Sequence, residues 1–200
     1  MTDNPLVSIV ITCYNYSQYI ERCIQSAIDQ TYRNIEVIVV DNGSTDNSLE
    51  KIKTFLCNPR VVIIELKKNI PPGVGKESAF GVAIQRSSGR YVSVLYADDW
   101  YLPTKIEKQV SLFSKSSNSV GVIYCHGYRY LEQSGRMSKW KHQSVRGYVF
   151  RSYLLNGDVV IPISPLVKRH CYDIVGLNNI WTGSEYDFLV MSQYVDFDFV

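Results

Sequence analysis

The chain has no C-x-x-C pair, no apolar run near the ~18 residues of a membrane span, and almost no net charge. Its five cysteines, at 13, 23, 57, 125 and 171, are odd in number and widely spaced. That argues against a disulfide framework or a zinc site and for thiols kept in a reducing compartment. Lys and Arg total 21 against 19 Asp and Glu, a formal +2, so the cationic footprint of a nucleic-acid binder is missing and no nucleic-acid partner is expected. Met1–Pro5 offers no basic n-region and no apolar h-region follows it, so a secretory signal is not visible and a cytoplasmic location is expected. Repeats and low-complexity tracts are absent. What is present is globular: 46% hydrophobic and 20% charged residues in 200, enough for one domain with a sizeable core.

The first 130 residues alternate strand and helix patterns. Leu6–Thr12 reads as a buried strand, followed by a helix with Tyr19, Ile20, Cys23, Ile24, Ala27 and Ile28 on one face, capped by Asn15 or Ser17. Strands follow at Ile35–Val40, Val61–Leu66, Tyr91–Tyr96 and Val120–Tyr130. Helices lie between them: Leu49, Ile52, Phe55 and Leu56 mark one, Gly75 to about Arg86 another, and a third opens at Pro103 and buries Ile106, Val110 and Phe113. This β-α-β alternation predicts an α/β fold with a mostly parallel sheet flanked by helices. Residues just past the strand ends are then where ligands bind. After Leu131 the pattern shortens, through a basic run from Arg136 to Arg146 around Trp140, to a helix over about Glu185–Tyr194 and a strand-like Asp196–Val200. It predicts a smaller C-terminal subregion packed on the first within one domain of residues 1–200, the halves meeting near 130. The apolar ending is what a piece of a longer protein would show.

Two nucleotide motifs fail. Pro71-Pro-Gly-Val-Gly-Lys76 has Ile70 at the first glycine of a P-loop and Glu77 where the magnesium-binding Ser/Thr belongs. Cys13-Tyr-Asn-Tyr16, after the first strand, lacks the glycines of a dinucleotide site. Carboxylates follow two strands instead: Asp41 after the second, Asp98 and Asp99 after the fourth. Neighbouring side chains on an extended chain point opposite ways, so the pair can divide its work, one carboxylate binding a hard cation. The ordinary alternative is capping and turn chemistry.

These segments together resemble family 2 glycosyltransferases. Val7-Ser-Ile-Val-Ile-Thr-Cys-Tyr-Asn15 is similar to that family's opening strand, and Glu36–Asp46 to its second strand and D-[DN]-G-S-x-D loop. Gly73-Val-Gly75, Gly81 and Ser88–Val92 resemble its mid-sequence glycine stretch, and Tyr96-Ala-Asp-Asp99 with Leu102-Pro103 its D-x-D-D…P segment. The resemblance implies a GT-A type nucleotide-binding sandwich. It puts Thr12, Tyr14 and Asp41 with the nucleotide, Asp98 near the ribose or donor sugar, and Asp99 on a Mn2+ or Mg2+ ion. The general base falls in Ser184-Glu-Tyr-Asp187, with Glu185 at the base position and Asp187 beside it; acids also favour a helix's first turn for the sake of its dipole. Lys76 is a candidate donor-binding charge.

The departures are Tyr96 for the first acid of D-x-D-D, Ser78-Ala79 for Arg-Asn, Ser184 for the first acid of the base motif, and Ile11 for a proline. The resemblance implies inverting transfer from a UDP- or dTDP-sugar to a glycan or lipid-linked acceptor in cell-surface polysaccharide synthesis, with peripheral association at the inner membrane face. Two other readings stand beside it: a non-catalytic relative that only binds or scaffolds, and a nucleotidyltransferase, which would want a glycine- and Arg/Lys-rich loop where Cys13–Ser17 has none. Trp100, Trp140 and Trp181 are sugar-stacking candidates, though aromatics more often serve as core or rim. The run from Arg136 to Arg146 is either a solvated face or a contact for an anionic acceptor.

Overall fold

A computed structural model of the chain describes residues 4–71, 75–141, 143–157, 159–176, 178 and 185–200. The parallel strands β1 (Val7–Cys13), β2 (Ile35–Asp41), β3 (Val61–Glu65) and β4 (Tyr91–Tyr96) alternate with helices α1 (Ile20–Ile28), α2 (Ser48–Lys53) and α3 (Ala79–Arg86). After α4 (Lys105–Phe113) come β5 (Val120–Tyr124), β6 (Gly127–Leu131), β7 (Arg136–Trp140), α5 (Phe150–Asn156), β8 (Leu166–Lys168), α6 (Cys171–Val175), α7 (Glu185–Met191) and β9 (Asp196–Phe199). Seven strands form one sheet in the order β3-β2-β1-β4-β8-β5-β9. Only β8 runs against its neighbours, pairing antiparallel with both β4 and β5. The expected α/β fold with a mostly parallel sheet is the one observed.

The sequence of β1 shows why it lies in the middle. Val-Ser-Ile-Val-Ile-Thr-Cys is apolar almost throughout, and six of its seven residues are buried, as a parallel strand covered on both faces requires. One face packs on α1, Ile52 of α2, and Ile106, Val110 and Phe113 of α4. The other packs on α3, Tyr153, and the buried faces of α6 and α7. The order β3-β2-β1-β4 means the chain builds outward from β1 in one direction, then returns to its other side. The crevice at the carboxyl ends of β1 and β4 is therefore the topological switch point, where open α/β sheets bind ligands.

Several local expectations are corrected. Val120–Tyr130 is two strands: β5 is fully buried in the main sheet, whereas β6 is exposed and, among the described residues, pairs with β7 alone. The helix after β2 ends at Lys53, and the chain turns away, leaving Leu56 62% exposed. Neither Asn15 nor Ser17 caps α1. Its N-cap is Tyr19 without a side-chain bond, because Asn15 and Ser17 are engaged with the loop after β2. The third helix starts at Ala79, with the Ser78 hydroxyl accepting from the Gly81 amide at 3.0 Å. Pro103 precedes the N-cap Thr104 of α4 and is not the first helical residue.

Candidate functional site

The rim of the crevice is built by three loops, each leaving a central strand. After β1 the chain reaches Asn15, at φ 60°, the left-handed region that Asn tolerates better than most residues. This bend lets the Asn15 side chain accept from the Thr45 amide at 2.8 Å and the Asp46 amide at 3.3 Å. Asp46 reciprocates, its Oδ2 accepting from the Ser17 amide at 3.1 Å and its Oδ1 from the Ser48 amide at 2.9 Å. Burial pushes the Asp46 carboxyl up, but the Ser48 hydroxyl, donating at 2.5 Å, together with these amides outweighs it and holds the group down at about 2. The loops after β1 and β2 are thus one hydrogen-bonded unit. Gly43, at φ 70°, completes it: an added Cβ would lie 2.5 Å from the Lys68 carbonyl carbon, so only glycine lets the two backbones approach.

Asp41 ends β2 directly opposite Cys13 of β1, and Thr12 faces Tyr96 of β4. The Asp41 carboxylate is 1% exposed. Its Oδ2 accepts from the Ser44 amide at 3.0 Å, and its Oδ1 is buried with no hydrogen-bond partner among the described residues. A buried carboxylate oxygen left so is costly, and a ligand donor would offset the cost. On the far side of β1, two strand spacings or about 10 Å away, β4 runs into a turn closed by the Asp99 amide donating to the Tyr96 carbonyl at 3.0 Å. The expected extended pair is therefore a turn, in which Asp98 is exposed and Asp99 half-buried. Burial, then the charge of Asp98, push the Asp99 carboxyl up to about 6, against a smaller opposing pull from Arg22. Across the crevice, the Asp98 charge raises the exposed Tyr16 phenol above its ordinary value.

Thr12 is half-buried at the end of β1, Tyr14 is 40% exposed on the loop after it, and Lys76 is exposed on the loop before α3. Gly81 lets that loop rest on α3, since a Cβ there would collide with the Gly75 carbonyl and Lys76. Ser78, in place of the expected Arg-Asn pair, serves as the α3 cap. Glu185 opens α7, but its side chain, like Trp181 and Ser184, lies outside the described residues. Asp187, two positions on, is completely buried, and its charge raises the neighbouring Tyr172 phenol after burial has done most of that work. This burial sets Asp187 in the packing between α6 and α7, out of contact with solvent.

One contributor carried no sequence signal. Arg22 of α1 stacks its guanidinium 3.8 Å from the Trp100 ring centroid, and the Tyr130 ring meets Trp100 edge-on at 5.5 Å. Nothing in an α1 surface arginine foretells that it will lie against the turn after β4. All five cysteines are free, Cys13, Cys23 and Cys171 buried as expected and Cys57 exposed.

The family description "Glycosyl transferase family 2" matches residues 8–166. An uncharacterised glycosyltransferase of Rickettsia typhi is 39% identical over 132 residues, which is 66% of this chain and 39% of that protein. This chain spans between 18% and 39% of the length of the Rickettsia relatives it matches. Among solved structures, S. aureus TarS in complex with UDP-GlcNAc superposes with a TM-score of 0.69 at 16% identity, over 97% of this chain and 58% of that one. The mannosyltransferase PcManGT of Pyrobaculum calidifontis, in complex with GDP-Man and Mn2+, superposes with a TM-score of 0.72 at 16% identity, over 100% of this chain and 55% of that one. The fold is the GT-A type of these neighbours. With motifs in the family's order around a switch-point crevice and the family match covering well over half of its length, the chain belongs to glycosyltransferase family 2.

Proposed function

We propose that this chain moves a sugar from a nucleoside diphosphate sugar, of the UDP or dTDP kind, to a hydroxyl of a glycan or lipid-linked acceptor, with inversion, in cell-surface polysaccharide synthesis. The observation that carries the reading is the buried, unpartnered Asp41 oxygen two strands from the Asp98–Asp99 turn, at the switch point. One end of such a crevice offers an acceptor to a base N–H, the other two carboxylates to a diphosphate and its cation. The nucleotide sugars in TarS and PcManGT, and the Mn2+ in the latter, support the donor class.

The residues present fit a hard divalent cation. Their donors are all oxygen, and burial and the Asp98 charge disfavour ionisation of Asp99, a cost that a bound cation would offset. Among the described residues no cluster of three or more His, Cys, Asp or Glu could cage a metal alone. That suits Mn2+ or Mg2+ held by one or two carboxylates, the rest of the shell coming from phosphate and water. Asp99 would hold the ion, with Asp98 beside it; when bound, the ion supplies Lewis-acid neutralisation of the departing diphosphate. Thr12, Tyr14 and Asp41 orient the nucleotide, and Lys76 adds a charge near the phosphates. Glu185 takes the acceptor hydroxyl's proton as that oxygen bonds to the anomeric carbon and the nucleoside diphosphate leaves. The α7 register and the burial of Asp187 support Glu185 over Asp187 in this role.

A thermal-shift panel of UDP-, dTDP- and GDP-sugars, with and without Mn2+, tests the reading. A native-state ligand at 100 times its Kd stabilises by about 2.7 kcal/mol, a Tm rise of roughly 5–10 °C for a chain of this size. UDP or dTDP sugars should give that rise with Mn2+ and less without. No rise with any nucleotide sugar overturns the proposal. Binding without any metal-dependent hydrolysis or transfer selects the scaffolding alternative.

A further inference from the structure

The β6–β7 hairpin stands apart from the main sheet. Among the described residues its strands pair only with each other, and an isolated two-stranded hairpin is marginal in water unless something packs against it. Something does pack on one face. The register pairs Tyr128 with Lys139 and Tyr130 with Met137, so these four share a face. That face reaches the crevice rim, where Tyr130 meets Trp100, and the Tyr19 hydroxyl donates to Glu132, just past β6, at 2.8 Å. The opposite face carries Arg129, Leu131, Arg136, Ser138 and Trp140, with Arg129 stacked 4.3 Å from the Trp140 ring centroid. Arg129 and Arg136 are exposed and Leu131 is 57% exposed; beside the turn, Met137 is 48% exposed.

Charge is concentrated here. Residues 127–141 hold four of the chain's 21 Lys and Arg and one of its 19 acids, leaving 17 against 18 elsewhere. All of the net positive charge therefore sits on one hairpin that also exposes aliphatic side chains. Cations interleaved with Leu and Trp suit the headgroup–acyl boundary of an anionic bilayer. An acidic glycan would satisfy the arginines but offer nothing to Leu131.

We propose that the outer face and turn of the β6–β7 hairpin dock on an anionic lipid bilayer. Arg129 and Arg136 contact lipid phosphates, while Leu131 and Trp140 enter the interface. Because the inner face of the hairpin rests against Trp100, docking brings the Asp98–Asp99 turn close to the lipid surface. The value of that to a lipid-linked acceptor rests on the function proposed above; the docking does not.

The test is co-sedimentation of the whole chain with phosphatidylcholine vesicles, plain or containing roughly one-third phosphatidylglycerol, at low and high salt. The protein should pellet with the anionic vesicles, stay in solution with the neutral ones, and lose binding as salt rises. Each basic residue near an anionic surface is worth about fivefold in affinity, so Arg129→Gln with Arg136→Gln should weaken binding about 30-fold. Arg33→Gln with Lys115→Gln makes the same charge change at exposed positions on the amino edge of the sheet and should leave binding nearly unchanged. Leu131→Ser should weaken it several-fold at equal charge. Unchanged thermal melts show that each variant is folded. Vesicle binding that survives the Arg129 and Arg136 changes, or that falls equally with the Arg33 and Lys115 pair, overturns the proposal. So does a wild-type chain that ignores anionic vesicles but binds heparin, which would give the face to an acidic glycan.

Discussion

Two carboxylates on the same strand have opposite fates. Glu36, near the amino end of β2, accepts from the Ser8 hydroxyl at 2.6 Å and from the Ser88 amide and hydroxyl at 2.7 and 2.8 Å. Burial pushes its pKa up, but these donors together with the Gly89 amide outweigh it and hold the carboxyl below its ordinary value. Glu36 thereby ties β1, β2 and the approach to β4 together. Asp41, five residues on at the carboxyl end, has one oxygen satisfied and the other buried without a partner. Asp99, at the same end of the sheet, is pushed the opposite way from Glu36. At the amino edge Glu36 holds the fold; at the carboxyl edge Asp46 ties two loops together, while Asp41 keeps one oxygen that a ligand can satisfy and Asp99 pays for its burial.

The contrast is sharpest on α7. Glu185→Gln should lower sugar transfer by ~10²–10⁴-fold, the usual worth of general-base help, with donor affinity nearly unchanged. Asp187→Asn should instead lower the melting temperature, as expected for a completely buried polar group. Transfer rates, donor affinities and melts of both variants decide it; a folded, inactive Asp187 variant beside an active Glu185 variant would exchange the roles.

On β2 the same contrast can be broken from either end. Glu36→Gln removes a charged acceptor of several hydrogen bonds, so urea unfolding should show a loss of about 1.5–3 kcal/mol while UDP affinity holds. Its pKa is depressed in the fold, so its contribution is present above the ordinary carboxylate pKa and is lost as pH falls below it. Asp41→Ala should do the reverse, weakening UDP and UMP equally by calorimetry with Mn2+ dependence intact. A variant that binds UMP normally but UDP poorly would move Asp41 away from the base.

Asp99→Asn should reduce Mn2+-dependent UDP affinity about tenfold or more, in the range typical of damage to a metal site, and should also raise the melting temperature of the ligand-free protein at pH 7.5. The sign follows from its raised pKa. Between the ordinary 3.8 and about 6 the folded state holds the proton more tightly, so stability falls as pH rises through that window and stays reduced above it. The asparagine variant should lose this slope, and melts from pH 4 to 8 would reveal it.

The smallest effect concerns a buried cation. The Lys105 amine donates to Ser93 Oγ at 2.9 Å and Gln109 Oε1 at 3.0 Å, and lies 4.1 Å from the Tyr101 ring centroid. Burial lowers its pKa from 10.5 to about 8. Between those values the unfolded chain binds the extra proton, so stability should rise with pH by less than about 1.4 kcal/mol per unit. Lys105→Met should flatten the rise, as denaturant titrations at pH 8 and 10 would show.

How much of this was legible in the sequence depends on the range of the forces involved. Tyr91–Tyr96 was readable to the residue, and β1 and β2 to within one, because strands buried on both faces must be almost wholly apolar. The break at Cys125–His126 was not readable: an apolar and aromatic run carries no mark of where one half enters a sheet and the other leaves it. The carboxylates after the strands could be named, since motif order fixes chain position. Their inequality could not, because desolvation and the charge of a neighbour depend on what packs around each one. Short-range periodicity and motif spacing suffice for an α/β chain with acids at its strand ends. Packing in three dimensions is what lays Arg22 over Trp100, seals Asp187 in while Asp98 stays open, and sets a basic hairpin beside the crevice. Those facts arise from contacts between residues tens to a hundred positions apart, which no local pattern encodes.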